Sequence, residues 1–253
     1  MIEDDKGSGT LMSKAEVWKK VCELVCPPNG TYEPACETPT QFEKLHPASA
    51  RRFNEFVAWC VELDKKEALA LFFTAFPVPE ELDMPLRAKL KSNAAEALLL
   101  EKLAAEDCAL KTLVLCAAGP NWPGALQRNQ SIESLQIVAR DPFDAAWLAY
   151  AQTETTLVTL ALHCWKGTPD LSDCLKLLSG FAENSKQLES IHLAGVDLAT
   201  ASVAELGVKV LHAFRNHAKL KSLSFDDCAL PDNVNELLER RGLEVKKTRC
   251  TYY

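Results

Sequence analysis

One short apolar phrase recurs five times between Leu110 and Leu230, and no other feature of the 253-residue chain constrains the fold as much. It reads LKTLVL from Leu110, IESLQI from Ile132, LVTLAL from Leu157, LESIHL from Leu188 and LKSLSF from Leu220. Each copy fits Leu-x-x-Leu-x-Leu, with Ile or Phe as the only replacements. Two copies run further, as LESIHLAGVDL and LKSLSFDDCAL. Successive copies start 22, 25, 31 and 32 residues apart. Self-similarity at such a period belongs to arrays in which each unit buries its apolar side against the next.

The segments between copies carry helical periodicity. Asp170–Ala182 places Leu171, Cys174, Leu175 and Leu178 on one face, and Ala201–Phe214 does the same with Val203, Leu206, Val210, Leu211 and Phe214. Pro142–Tyr150 reads as a further helix, and Pro169 and Pro231 sit near helix starts, where a missing N–H costs little. A sixth, degenerate strand is expected at Leu243–Val245, after a helix over Asn233–Arg240. The phrase LKSLSFDDCAL fits the full pattern of a leucine-rich repeat. With a helix after each strand, residues 107–245 resemble the ribonuclease-inhibitor type of that family. The resemblance implies an α/β solenoid, with parallel strands on a concave face and helices on the convex one.

Strand side chains alternate, so the leucines of each phrase point inward and the residues between them outward. Stacking the copies gives one outward column of Thr112, Ser134, Thr159, Ser190 and Ser222. A second holds Val114, Gln136, Ala161, His192 and Ser224. A third holds Cys116, Val138, His163, Ala194 and Asp226. Small hydroxyls suit closely spaced strands without any ligand, but the columns also describe a polar groove with few charges. The expected partner-binding set is Gln136, Ala161, His163, Trp165, His192, Ser224 and Asp226. Trp122 and Trp165 follow strands on the loops at one rim. They are read either as exposed anchors, because Trp is enriched at binding hot spots, or as side chains buried under a loop. His163 and His192, one repeat apart without a carboxylate beside them in the sequence, make a weak metal site.

The first hundred residues lack the phrase. Helices are expected over Val17–Val25, over Pro47–Leu63 with Phe53, Phe56, Val57, Cys60 and Val61 on one face, and over Ser92–Glu106 with Ser92 as cap. Leu69–Phe76 reads as a buried strand or a helix continuation, and Lys66–Leu71 as a degenerate first repeat strand. Cys22, Cys26, Cys36 and His46 offer four candidate zinc ligands, but not in tight Cys-x2-Cys pairs. Cys22 and Cys26 also fit one helix face, so core packing is the preferred reading and no metal or cofactor is expected. Cys108, Cys116, Cys164 and Cys174 read as small core residues.

Ten cysteines with no export signal are expected to stay reduced, which fits a cytoplasmic chain. No apolar run is long enough to span a membrane. The net charge of −7 argues against nucleic acid as partner, and the basic cluster Arg240, Arg241, Lys246, Lys247 and Arg249 reads as a solvated end of the array. The Walker, dinucleotide-binding, nucleophile-elbow and zincin signatures are all missing. His163 and Cys164 cannot pair as base and nucleophile, because strand neighbours face opposite ways.

The sequence thus divides into a polar tail over 1–12 (flexible, or added ahead of a native start at Met12), a helical N-terminal cap over 13–106, and a repeat array with a closing strand over 107–253. The expected function is a non-enzymatic protein–protein interaction module that binds a partner protein on its strands. The alternative is an effector or regulator whose first 106 residues recruit or act on a cellular enzyme such as a ubiquitin ligase or GTPase.

Overall fold

The repeated phrase builds a single parallel sheet. The computed structural model describes residues 12–25, 50–84, 93–116, 119–139, 143–154, 156–164 and 171–248. Its elements in chain order are α1 (Lys14–Val25), α2 (Ala50–Glu62), α3 (Lys66–Phe73), β1 (Glu81–Met84), α4 (Ala94–Leu103), β2 (Thr112–Cys116), α5 (Trp122–Leu126), β3 (Ser134–Ala139), α6 (Ala145–Thr153), β4 (Thr159–Cys164), α7 (Leu171–Asn184), β5 (Ser190–Ala194), α8 (Ala204–Asn216), β6 (Ser222–Asp226), α9 (Val234–Leu238) and β7 (Glu244–Thr248). The seven strands lie side by side in sequence order, all parallel. A sheet that grows in one direction has no point where strand order reverses, so it lacks the crevice in which doubly wound α/β folds bind ligands. None of the described helices is long and apolar enough to cross a membrane.

The register is that of the phrase itself. Leu82, Leu113, Leu135, Leu160, Ile191, Leu223 and Val245 pair across the sheet, and all but Val245 are buried. The next inward column is Met84, Leu115, Ile137, Leu162, Leu193, Phe225 and Lys247. Lysine replaces the apolar residue only at the last strand, where Lys247 is exposed and bonds Asn235 on α9. An inward-facing charge on an edge strand stops the sheet from templating another strand. At the foot of each strand one carbonyl accepts two N–H groups from the next repeat: Glu80 from Lys111 and Thr112, Lys111 from Glu133 and Ser134, Glu133 from Val158 and Thr159, and Val158 from Glu189 and Ser190.

A second ladder sits three residues before each of the last four phrases. Asn129, Glu154, Ser185 and His217 are four of the six buried polar residues among those described. Each ties its own turn to the previous repeat or closes the turn itself. Asn129 donates to the Leu103 carbonyl at 2.6 Å and accepts from the Ser131 and Ile132 amides. Glu154 accepts from the Leu157 amide, and Ser185 donates to the Glu154 carbonyl. His217 Nε2 lies 2.9 Å from the Ser185 carbonyl, while its Nδ1 accepts from the Leu220 amide. Arg240 continues the series by donating to the carbonyls of Arg215, His217 and Leu220. Burying polar groups is tolerable only when they are paired in this way. The differing residue types hide the ladder in the sequence.

The helices form one layer, with α6 on α7, α7 on α8 and α8 on α9. Asp144 caps α6 by accepting from the Ala146 and Trp147 amides. Gly207 lets α8 approach the chain before it, because a Cβ there would meet the Leu198 carbonyl at 2.3 Å. Gly195 closes β5 in the left-handed region at φ 67°, where a side chain is strained.

The N-terminal helices differ from expectation in detail. Lys66–Phe73 is a helix, not a strand; its Lys, Glu, Ala and Leu are strong helix formers, and Ala68, Leu69 and Phe72 share its buried face. The strand that precedes the array is Glu81–Met84, whose alternation of exposed Glu81 and Asp83 with buried Leu82 and Met84 is too short to stand out. The α4 cap is Asn93, which accepts from the Glu96 amide at 2.7 Å, and Ser92 lies outside the described residues. A capping box of Ser13 and Glu16 starts α1. Trp18, Phe53, Phe56, Phe72 and Phe76 pack ring against ring, with Phe56 and Phe72 centroids 4.5 Å apart. This aromatic cluster is continuous with the core of the array. Helix α2 packs on β1, Asn93 donates to the Val61 carbonyl, and Asp64 accepts from the Ala95 amide.

Candidate functional site

The sheet face opposite the helices carries no described helix, and the outward columns of the phrase meet there in register. Thr112, Ser134, Thr159, Ser190 and Ser222 form one column, continued by Glu81 and Glu244 at its ends. None of the five hydroxyls has a hydrogen-bond partner among the described residues, although neighbouring strands lie about 4.8 Å apart. The second column is Asp83, Val114, Gln136, Ala161, His192, Ser224 and Lys246, and the third joins Cys116, Val138, His163, Ala194 and Asp226. Gln136, Ala161, His163, His192, Ser224 and Asp226 therefore lie on one face. They are half-buried there instead of exposed, because adjacent strands shield one another. Trp165 lies outside the described residues.

The polar centre of this face is a cluster on β4, β5 and β6. His192 Nδ1 lies 2.6 Å from Ser224 Oγ, and its Nε2 lies 3.4 Å from Asp226 Oδ2. The His163 ring meets that of His192 edge-on, centroids 5.1 Å apart. Burial first, then the His192 ring, depress the His163 pKa, and Asp226 opposes them. His163 Nε2 is buried without a hydrogen-bond partner among the described residues. In the chain no carboxylate lies near these histidines, because Asp226 is two repeats from His163; the fold supplies one. Even so, among the described residues no group of three or more His, Cys, Asp and Glu side chains is arranged to hold a metal ion.

The order Ser224, His192, Asp226 resembles a nucleophile, base and orienting acid. Acyl transfer also needs donors aimed at the developing oxyanion. The strand N–H groups here lie in the plane of the sheet and point at neighbouring strands, so among the described strands none faces Ser224 from above. With its Nε2–H toward Asp226, His192 can accept the Ser224 hydroxyl proton at Nδ1, so the three side chains form one hydrogen-bonded patch.

Of the remaining expected residues, Trp122 is not an exposed anchor. It is fully buried at the start of α5, and its Nε1 donates to Glu96 Oε1 at 2.9 Å. Burial raises the Glu96 carboxyl above its ordinary value, against the hydrogen bonds from Trp122 and Asn121. Trp147 is buried, edge-on to Phe143 and Tyr150. Cys164 faces the core next to His163 on the opposite face, and its Sγ lies 3.6 Å from that of Cys174. The hydrogen bond with Cys174, together with burial, pushes the Cys164 thiol well up, so it remains a protonated core residue at neutral pH. Cys228 is half-buried; its thiol donates to the Leu193 and Asp226 carbonyls, and burial pushes it up to about 11. Of the four possible zinc ligands only Cys22 is described, half-buried on α1; Cys26, Cys36 and His46 lie outside the described residues. The chain matches no protein-family model and no curated protein.

Proposed function

We propose that the chain is a protein-interaction module of the leucine-rich-repeat kind, of the ribonuclease-inhibitor type, and that a partner protein docks on the open strand face. One observation carries this reading: in-register columns of small and polar side chains run across the sheet, and among the described residues the hydroxyl column has no partner of its own. Residues held half-buried by their neighbours lose little entropy on docking, which is how a rigid surface binds well. Residues 13–106 act as a helical cap on the array; the core they share with β2 and α5 supports this over an independent domain.

A photo-cross-linking amino acid placed at Ala161, on the middle strand, should capture a partner from cells. The same residue at Lys176, exposed on α7, should not. Ala161→Arg should abolish the complex with little change in melting temperature. Cross-links from position 176 alone would make the helical layer the working surface and overturn the proposal.

A further inference from the structure

The foot of the last three strands forms a cleft of about 800 Å³ lined by Arg215, Lys219, Lys221, Arg240 and Arg241, with Glu189 the one carboxylate of its lining. Glu189 is committed to Lys221 at 2.8 Å. The guanidinium of Arg240 is fixed in the cleft by the carbonyls of Arg215, His217 and Leu220, so it is already ordered. Those bonds use three of its five donors, and it has no carboxylate partner among the described residues. Lys219 reaches only the Gln187 side-chain oxygen, a neutral acceptor. Arg215, Lys219, Arg240 and Arg241 thus have no carboxylate partner among the described residues, in one concavity of a chain whose net charge is −7. Of the basic cluster read from the sequence as a solvated end of the array, Arg240 and Arg241 line this cleft. Positive charge focused in a cleft raises the local concentration of an anion.

We propose that this cleft takes a short acidic peptide segment, a run of Asp or Glu, belonging to a protein laid over the strand face. The inference rests on the proposed strand-face docking, because Glu189 and Lys221 immediately precede Ser190 and Ser222 of the outward hydroxyl column. A short segment fits better than a nucleic acid. Beyond the cleft a long polyanion would meet exposed Glu81, Asp83, Glu133 and Glu244 at the same sheet, and the attraction of the cleft fades over a screening length of about 8–10 Å.

The test uses the full chain and a fluorescein-labelled peptide with an uninterrupted glutamate run, read by fluorescence anisotropy. Saturable binding is expected, weaker at higher salt and reduced by about tenfold or more when Lys219→Glu and Arg241→Glu are combined. Both side chains are exposed, and thermal melts confirm folding; Arg241→Gln gives a milder second variant. Arg240 is left intact because it holds the turn. Ala161→Arg should leave peptide binding unchanged, which separates this cleft from the strand-face reading. No saturable binding, or binding that survives the cleft variants, would overturn the proposal. So would loss in Ala161→Arg alone, and so would single-stranded DNA or inorganic phosphate held as tightly through the same residues.

Discussion

The two halves of the molecule bury apolar surface by different rules. Around α1–α3 the core is aromatic, and Phe72 alone lies against Trp18, Phe53, Phe56 and Phe76. Beneath the strands of the array the core is a ladder of mostly aliphatic residues, each meeting its equivalent in the neighbouring strands, while the buried rings of Trp147, Phe181 and Phe214 come from the helical layer. A cluster of rings is irregular and depends on one shared centre. A stack of equivalent leucines spreads its stability over nearest-neighbour contacts. The halves nevertheless share one continuous core, so damage in either should be felt in the other.

Phe72→Ala should have the largest effect, about 3–5 kcal/mol, because it empties the centre of the aromatic cluster. Leu160→Ala in the middle of the strand ladder should cost about 2–5 kcal/mol. In denaturant melts both variants should keep one transition when followed by tryptophan fluorescence and by circular dichroism. Two separated transitions in either variant would break the picture of a continuous core. A Leu160→Ala loss well under about 1 kcal/mol would instead show the ladder register to be wrong.

The seam between the halves gives an intermediate effect. Glu96→Ala leaves the buried Trp122 N–H without its acceptor and should cost about 1–3 kcal/mol. Glu96→Gln keeps an acceptor and isolates the charge. Because burial raises Glu96, the folded protein binds this proton more tightly than the unfolded chain does. Its contribution is therefore full in acid and is lost as pH rises through the folded value. The Gln variant should match the natural protein near about pH 4 and exceed it progressively toward about pH 7 in thermal melts. A difference that does not change with pH would show that Glu96 is not perturbed.

Within the array, Gly207→Ala should destabilise by about 1–3 kcal/mol through the clash with the Leu198 carbonyl. The smallest effect belongs to the open face. Ser190→Ala removes a hydroxyl with no described partner and should change stability by less than about 0.5 kcal/mol in the same melts. A larger loss would mean that the hydroxyl column holds the sheet together and is not free to meet a partner.

How far the sequence could be read follows the same divide. Repetition made the strands, their register and the three outward columns legible, because one alternation rule applied five times over. The aromatic half offered no second copy to check against, and Lys66–Leu71 therefore resembled a strand phrase while folding as a helix. Glu81–Met84 escaped notice because four residues of alternation carry little signal. At the site, the approach of Asp226 to His192 depends on pairing between neighbouring repeats, and Trp122 found a buried partner in Glu96 across 26 residues. The ladder of Asn129, Glu154, Ser185 and His217 is a matter of position, not of residue type.

That ladder also bears on how the chain tolerates change. Each member sits three residues ahead of its phrase, whether the repeat before it is short or long. Extra residues are thus taken up upstream, in helices that lengthen from α5 to α7, and never between the anchor and its strand. Growth on one side of the sheet is uncoupled from alignment on the other. A lineage of such chains could insert and delete within the helical turns while the outward columns kept their spacing, so the surface that meets a partner can be conserved in geometry and varied one side chain at a time.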